Sequence, residues 1–118
     1  MSERRPARVA QLVQAALGRL LLQEARDRRL HDVIVTDVRM TPDLKLARVW
    51  VRHLAVRPEA GPVMAALARA TPFLRSRLGA EAGLRWVPEL RFEYDRLIDD
   101  AARVERLLDR DTPPEDES

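Results

Sequence analysis

Between residues 6 and 30 the apolar side chains return every third or fourth position. Val9, Leu12, Val13, Ala16, Leu17, Leu20 and Leu21 fall on one stripe, the spacing of an amphipathic helix with one face toward a core. Pro6 suits the first turn of such a helix. The run Arg26-Asp27-Arg28-Arg29 would put positive charge at its C-terminal end, where the helix dipole favours it. The period then shortens. Residues 33–40, Val-Ile-Val-Thr-Asp-Val-Arg-Met, are rich in β-branched side chains and begin to alternate, which predicts a strand. Thr41-Pro42-Asp43-Leu44 reads as a turn with proline at its second position. Residues 45–55 give the return strand of a hairpin, with Ala47, Val49 and Val51 facing the core and Arg48, Trp50 and Arg52 facing away.

A connector at 57–62 leads back to helical spacing through Val63, Leu67 and Ala70. Here Thr71-Pro72 intervenes. Proline inside a helix removes a hydrogen bond and crowds the preceding turn, whereas Thr followed by Pro makes a good N-cap and first helical residue. The pattern therefore predicts one helix ending near Ala70 and a second starting at Pro72, which runs to Gly79 or Gly83. Residues 86–94 form a third strand, with Leu90, Phe92 and Tyr94 on one face and Arg91 and Glu93 on the other. Pro88 belongs at its start or edge. Leu97, Ile98, Ala101, Val104, Leu107 and Leu108 mark a short amphipathic helix at 97–109, and 111–118 reads as a disordered acidic tail. The order is α-β-β-α-(break)-α-β. This is an α+β domain over 1–96, its helices packed on one face of a three-stranded sheet, followed by a C-terminal segment at 97–118.

Composition narrows the function. The chain has 118 residues, 46% of them apolar, and no cysteine, so disulfides, thiolate nucleophiles and cysteine zinc sites are excluded. No apolar run is long enough to span a membrane. The charged start is not a signal-peptide core, so a cytoplasmic location is expected. Residues 1–94 carry 17 basic and 10 acidic side chains, and residues 95–118 carry 4 and 9. A basic body with an acidic end fits a polyanionic partner, although soluble domains also carry such imbalance. Twenty of the 21 basic residues are arginine. Arginine favours phosphate, but codon bias produces the same ratio.

Enzyme chemistry finds little support. His31 and His53 have no spaced metal partner, Asp99 and Asp100 diverge on a helix, and Ser76 has no base nearby. Gly18, Gly61, Gly79 and Gly83 form no phosphate loop. No cofactor or metal is expected. Two features suit nucleic acid. Arg48, Trp50 and Arg52 form a basic-aromatic stripe that could stack a base or grip phosphates. The same stripe could be a solvated face paired with Asp37 and Glu93. The expected helix start at Pro72 would offer free N–H groups to a phosphate beside Arg69, Arg75 and Arg77, or the break could serve packing alone.

The ordered set of segments resembles the bacterial ribosome-binding factor A family over residues 4–109. Arg8-Val9-Ala10 opens it. Thr36-Asp37-Val38, Thr41-Pro42-Asp43-Leu44 and Ala47-Arg48-Val49-Trp50-Val51 follow, then Phe73-Leu74-Arg75-Ser76-Arg77-Leu78-Gly79. Residues 84–95, Leu-Arg-Trp-Val-Pro-Glu-Leu-Arg-Phe-Glu-Tyr-Asp, carry the strongest match, and Arg103-Val104 with Leu107-Leu108 closes it. The resemblance implies a KH-like fold. It implies a non-enzymatic, monomeric factor linked to cold adaptation that binds 16S rRNA on free or immature 30S subunits, assists late 16S rRNA processing and maturation, and leaves when assembly GTPases act or the subunit matures. The family's Ala-x-Gly kink falls on Ala70, Thr71 and Pro72, where proline stands in place of glycine. A second departure is Ala101-Ala102, where many relatives carry a glycine. The RNA-binding residues expected on this reading are Arg69, Thr71, Arg75 and Arg77, then Arg4, Arg5 and Arg8, then Arg48 and Arg52. The competing expectation is a protein-interaction module whose RNA contact is incidental.

Overall fold

The computed structural model describes residues 4–54 and 60–95; the helix and tail expected beyond residue 96 lie outside them. The first helix, α1 (Arg4–Gln23), forms where the stripe predicts, and it buries Ala10, Val13, Ala16, Leu17, Leu20 and Leu21. It ends seven residues before the expected 30. The cause is Asp27. Its carboxylate accepts the Arg29 backbone N–H at 3.0 Å and caps a new 3-10 turn over Arg28–Asp32. That local bond competes with helix continuation. The arginine run therefore does not sit on the last turn of α1. The 3-10 turn instead delivers Leu30, 1% exposed, into the core.

Strands β1 (Val33–Met40) and β2 (Leu46–His53) pair antiparallel. The register slips between Val35 and Asp37, leaving Thr36 as an extra residue. The bulge reverses the alternation, so the buried positions pass from Val33 and Val35 to Val38 and Met40. In the connecting turn the Leu44 N–H reaches the Thr41 carbonyl at 2.9 Å, and Leu44 itself takes a left-handed φ of 62°. Asp43 holds this shape by accepting from the Thr41 hydroxyl at 2.7 Å and from the Lys45 N–H at 3.1 Å.

One helix, α2 (Ala60–Ala82), runs unbroken where two were expected, with Pro72 inside it. Thr71 is not an N-cap. Its hydroxyl donates to the Leu67 carbonyl one turn back, at 2.8 Å. Pro72 and Ala68 are both exposed, so the Ala68 carbonyl that loses its N–H partner lies on the water side. Meanwhile Val63, Ala66, Leu67, Leu74, Leu78 and Ala82 keep one continuous buried stripe. Packing along that stripe outweighs the local penalty. The helix closes with a Schellman motif: Leu84 N–H to Gly79 carbonyl at 2.8 Å and Gly83 N–H to Ala80 carbonyl, with Gly83 at φ 69°.

The last strand, β3 (Glu89–Tyr94), starts three residues later than expected, because Pro88 has no N–H to give a ladder. It pairs parallel to β2, so β2 is central in the order β1-β2-β3 and α2 makes the crossover. α1 packs on β1, and α2 on α1 and β3. This is the expected α+β layering, helices over one face of a three-stranded sheet.

Candidate nucleic-acid interface

The nine expected residues fall in three separate places. The first lies where α2 passes the end of α1 and the 3-10 turn. There Arg77 pairs with Glu24 at 2.6 Å and lies 5.8 Å from the Phe73 ring. Arg69 approaches Asp27 at 3.9 Å. Asp27 is also gripped by the Arg29 guanidinium at 2.9 Å. The Arg29 side chain and backbone N–H hold its carboxyl at about 2, well below the ordinary range. Arg19 bridges to Glu81 and approaches Glu24 at 3.8 Å. A groove of about 400 Å³ opens between the 3-10 turn and α2, with Leu30, Ala66 and Phe73 below and Arg26 and Arg69 at its rim. Thr71 lies beside this region, but its hydroxyl is spent on Leu67. Because α2 is continuous, no helix N-terminus exists at residue 72. The expected phosphate contact with free N–H groups is thereby overturned.

The second place is at the opposite end. Arg75 turns away from Arg69 and Arg77 and donates to the carbonyls of Pro88 at 3.0 Å and Val87 at 3.1 Å. It clamps the segment before β3. Gly79 allows that segment to press close, since a Cβ there would stand 3.2 Å from Val87 Cγ2. Arg75 and Arg5 line a cleft of about 1020 Å³ between the start of α1, the β1–β2 turn and residues 83–89. Arg8 is exposed one turn further along α1. Arg4 opens α1, and its side chain lies outside the described part.

The third place is the sheet face turned away from the helices. Arg48 pairs with Glu93 at 2.7 Å and stacks 4.8 Å from the Trp50 ring. Trp50 is only 7% exposed, so it is no open stacking platform. The register sets Arg39, Arg48 and Arg91 in one row across the three strands. Arg52 lies opposite Ile34, half-buried. Sequence reasoning misses two features: this row and the exposure of Trp86, which the alternation places in a strand. Trp86 is 82% exposed in the segment that Arg75 clamps.

The histidines are structural. His31 Nε2 donates to the Ala25 carbonyl at 2.7 Å and His53 Nε2 to that of Arg29 at 3.0 Å. Among the described residues no cluster of three or more His, Asp or Glu could hold a metal, and no helix is long and apolar enough to cross a membrane.

Comparison with known proteins gives this geometry a context. The family model for ribosome-binding factor A matches residues 5–108. A ribosome-binding factor A from Methylobacterium radiotolerans is 44% identical, with 96% of this chain and 86% of that protein covered. One from Staphylococcus carnosus is 35% identical, covering 92% and 94%. The crystal structure of ribosome-binding factor A from Thermus thermophilus superimposes with a TM-score of 0.65 at 29% identity, over 78% of this chain and 98% of that one. A homology model of the Thermus thermophilus factor, fitted into a cryo-EM map of the 30S complex, gives 0.61 at 30% identity, over 75% and 92%. A helix-covered sheet whose last strand arrives by a crossover helix, with a family model matching nearly the whole chain, leaves one assignment: the chain belongs to the ribosome-binding factor A family.

Proposed function

We propose that this protein binds the small ribosomal subunit during its assembly, holds 16S rRNA through phosphate contacts and assists late maturation of that RNA. The observation that carries the reading is the likeness to a Thermus thermophilus factor fitted on a 30S particle. The surface supports it. Arg5 and Arg8 project into solvent from the first turns of α1 and make no ion pair among the described residues. Arg69, its side chain 62% exposed, is held only loosely at 3.9 Å from Asp27. These three are the strongest phosphate contacts. Arg77 can exchange Glu24 for a phosphate at some cost, while Arg48 and Arg75 serve the fold first.

Gradient sedimentation with immature 30S particles tests this reading. The wild-type protein should comigrate at low salt, and its affinity should fall steeply as salt rises, because each neutralised phosphate releases counterions. Arg8→Glu should weaken comigration without lowering thermal stability. Absence from the 30S fractions at low salt would overturn the reading.

A further inference from the structure

We infer that the cleft beside Trp86 is a stacking site for a base of single-stranded RNA. This deepens the reading of the protein as an rRNA-binding factor and rests on it.

The Trp86 indole is in the wrong place for a folded domain. Among the described residues Trp86 is the most exposed large apolar side chain, at 82%, while Trp50, Leu74 and Leu78 are buried. Large aromatic side chains supply much of the burial energy of cores and interfaces, so an indole left in water gains most from a ligand. It is also held in position. Leu84 follows the Schellman cap of α2, and Arg75 grips the carbonyls of Val87 and Pro88 on the other side. Trp86 thus sits on a segment fixed at both ends, which lowers the ordering cost of binding.

The charge around it selects the ligand. Arg5, Lys45, Arg75 and Arg85 line the cleft with Trp86, against two carboxylates, Asp43 and Glu89. Asp43, itself exposed, accepts from the Thr41 hydroxyl and the Lys45 N–H, which keeps its carboxyl below the ordinary range and leaves four cations against two carboxylates. Arg5, Lys45 and Arg85 are exposed and make no ion pair among the described residues. Leu44, which lines the same cleft, is held at φ 62°, a conformation that costs energy in a non-glycine residue and is often found where a ligand is gripped. An open platform ringed by surplus positive charge fits a flat base attached to a phosphate backbone. A duplex has its bases stacked already and offers none to the indole.

The probe is oligoadenylate of about six nucleotides, within the span one such groove holds, with an RNA duplex and heparin for comparison. Binding is read by intrinsic tryptophan fluorescence of the full chain. Oligoadenylate should quench the exposed component of the emission and shield it from acrylamide. Trp86→Ala should remove that response and bind at least about tenfold more weakly, while Trp86→Phe should retain part of the affinity. Thermal unfolding of both variants should match the wild type, since the side chain touches little. Equal affinity of Trp86→Ala and wild type overturns the inference. So does binding of heparin or duplex as tight as oligoadenylate, which marks a charge surface only, and so does failure of oligoadenylate to bind at low salt. A Trp86→Ala protein that keeps its oligoadenylate affinity but loses 30S association points to a ribosomal protein as the occupant and also overturns it. Wild-type comigration with 30S, measured in parallel, separates failure of this site from failure of the ribosomal reading itself.

Discussion

The Thr36 hydroxyl donates to the Asp95 carboxylate at 2.7 Å, joining the β1 bulge to the residue just after β3. Asp95 is 3% exposed, the one charged residue among the buried described positions. The same hydroxyl lies 3.2 Å from the Trp50 carbonyl, so one side chain touches all three strand regions. The bulge exists to aim Thr36 there; without the extra residue it would sit in the regular ladder. Thr36→Val should lower unfolding free energy by about 1–3 kcal/mol, the cost of depriving a buried carboxylate of a donor. Thr36→Ser, which keeps the hydroxyl, should lose much less. Urea denaturation of the three proteins decides the point.

Asp27 governs the acid limb of stability at the end of α1. Its folded pKa is depressed to about 2 from an ordinary 3.8. The stability it contributes is therefore complete well above pH 3.8 and is lost as pH falls toward about 2. Asp27→Asn keeps a capping oxygen but not the charge. Its stability should change less than that of the wild type across this window. Parallel denaturant melts from mildly to strongly acid pH would show the two curves converge as the pH drops.

Pro72 offers a gain rather than a loss. Pro72→Ala restores an N–H for the Ala68 carbonyl and removes the ring's crowding, and α2 already continues through the position. Stability should rise by roughly 1–3 kcal/mol, reduced by the extra freedom of the unfolded chain. A higher Tm with unchanged 30S comigration would mean that the proline shapes the helix and touches nothing. Unchanged or lowered Tm would show that the surrounding packing has adapted to a bent helix.

Arg75 is expected to behave as a structural residue. Arg75→Lys retains the charge but has no planar fork to span two carbonyls. Amide exchange across Val87, Glu89 and Leu90 should accelerate, and unfolding free energy should fall by about 1–2 kcal/mol. If only RNA affinity dropped, with exchange unchanged, Arg75 would act as a phosphate contact instead.

Much of this architecture is readable because period and burial coincide. The stripe from Val13 to Leu21 and the inward set Ala47, Val49 and Val51 are buried as expected. The errors arise where a local rule meets a longer-range one. Thr71-Pro72 satisfies the rule for a helix start, yet Val63, Leu67, Leu74 and Leu78 keep one phase across it, which a true junction would have shifted. Asp27 looks like one charge in a basic run, but its carboxylate starts a turn. At the candidate interface, residue type alone does not tell apart arginines in solvent from arginines holding the fold. Arg75 and Arg77 are two positions apart and point to different ends of the molecule because successive helix positions diverge by about 100°. The two tryptophans mislead in opposite directions. Trp50 has a stripe of arginines to recommend it and is buried, whereas Trp86 precedes its strand because Pro88 delays the ladder.

The parallel pairing of β3 with β2 sets an order of events during folding. The β1–β2 hairpin closes a turn of a few residues, whereas Leu46 meets Glu89 only after a loop of about 40 residues, including all of α2, has come round. Such non-local pairing is slow, and β3 is also made last of the three strands. Both the Thr36–Asp95 contact and the Trp86 cleft depend on its arrival. A chain that stalls with only its hairpin and first helix formed would still display Arg5 and Arg8 and still attract RNA by charge. It would have no cleft, so the discrimination proposed for Trp86, between a splayed base and a generic polyanion, would require the finished fold.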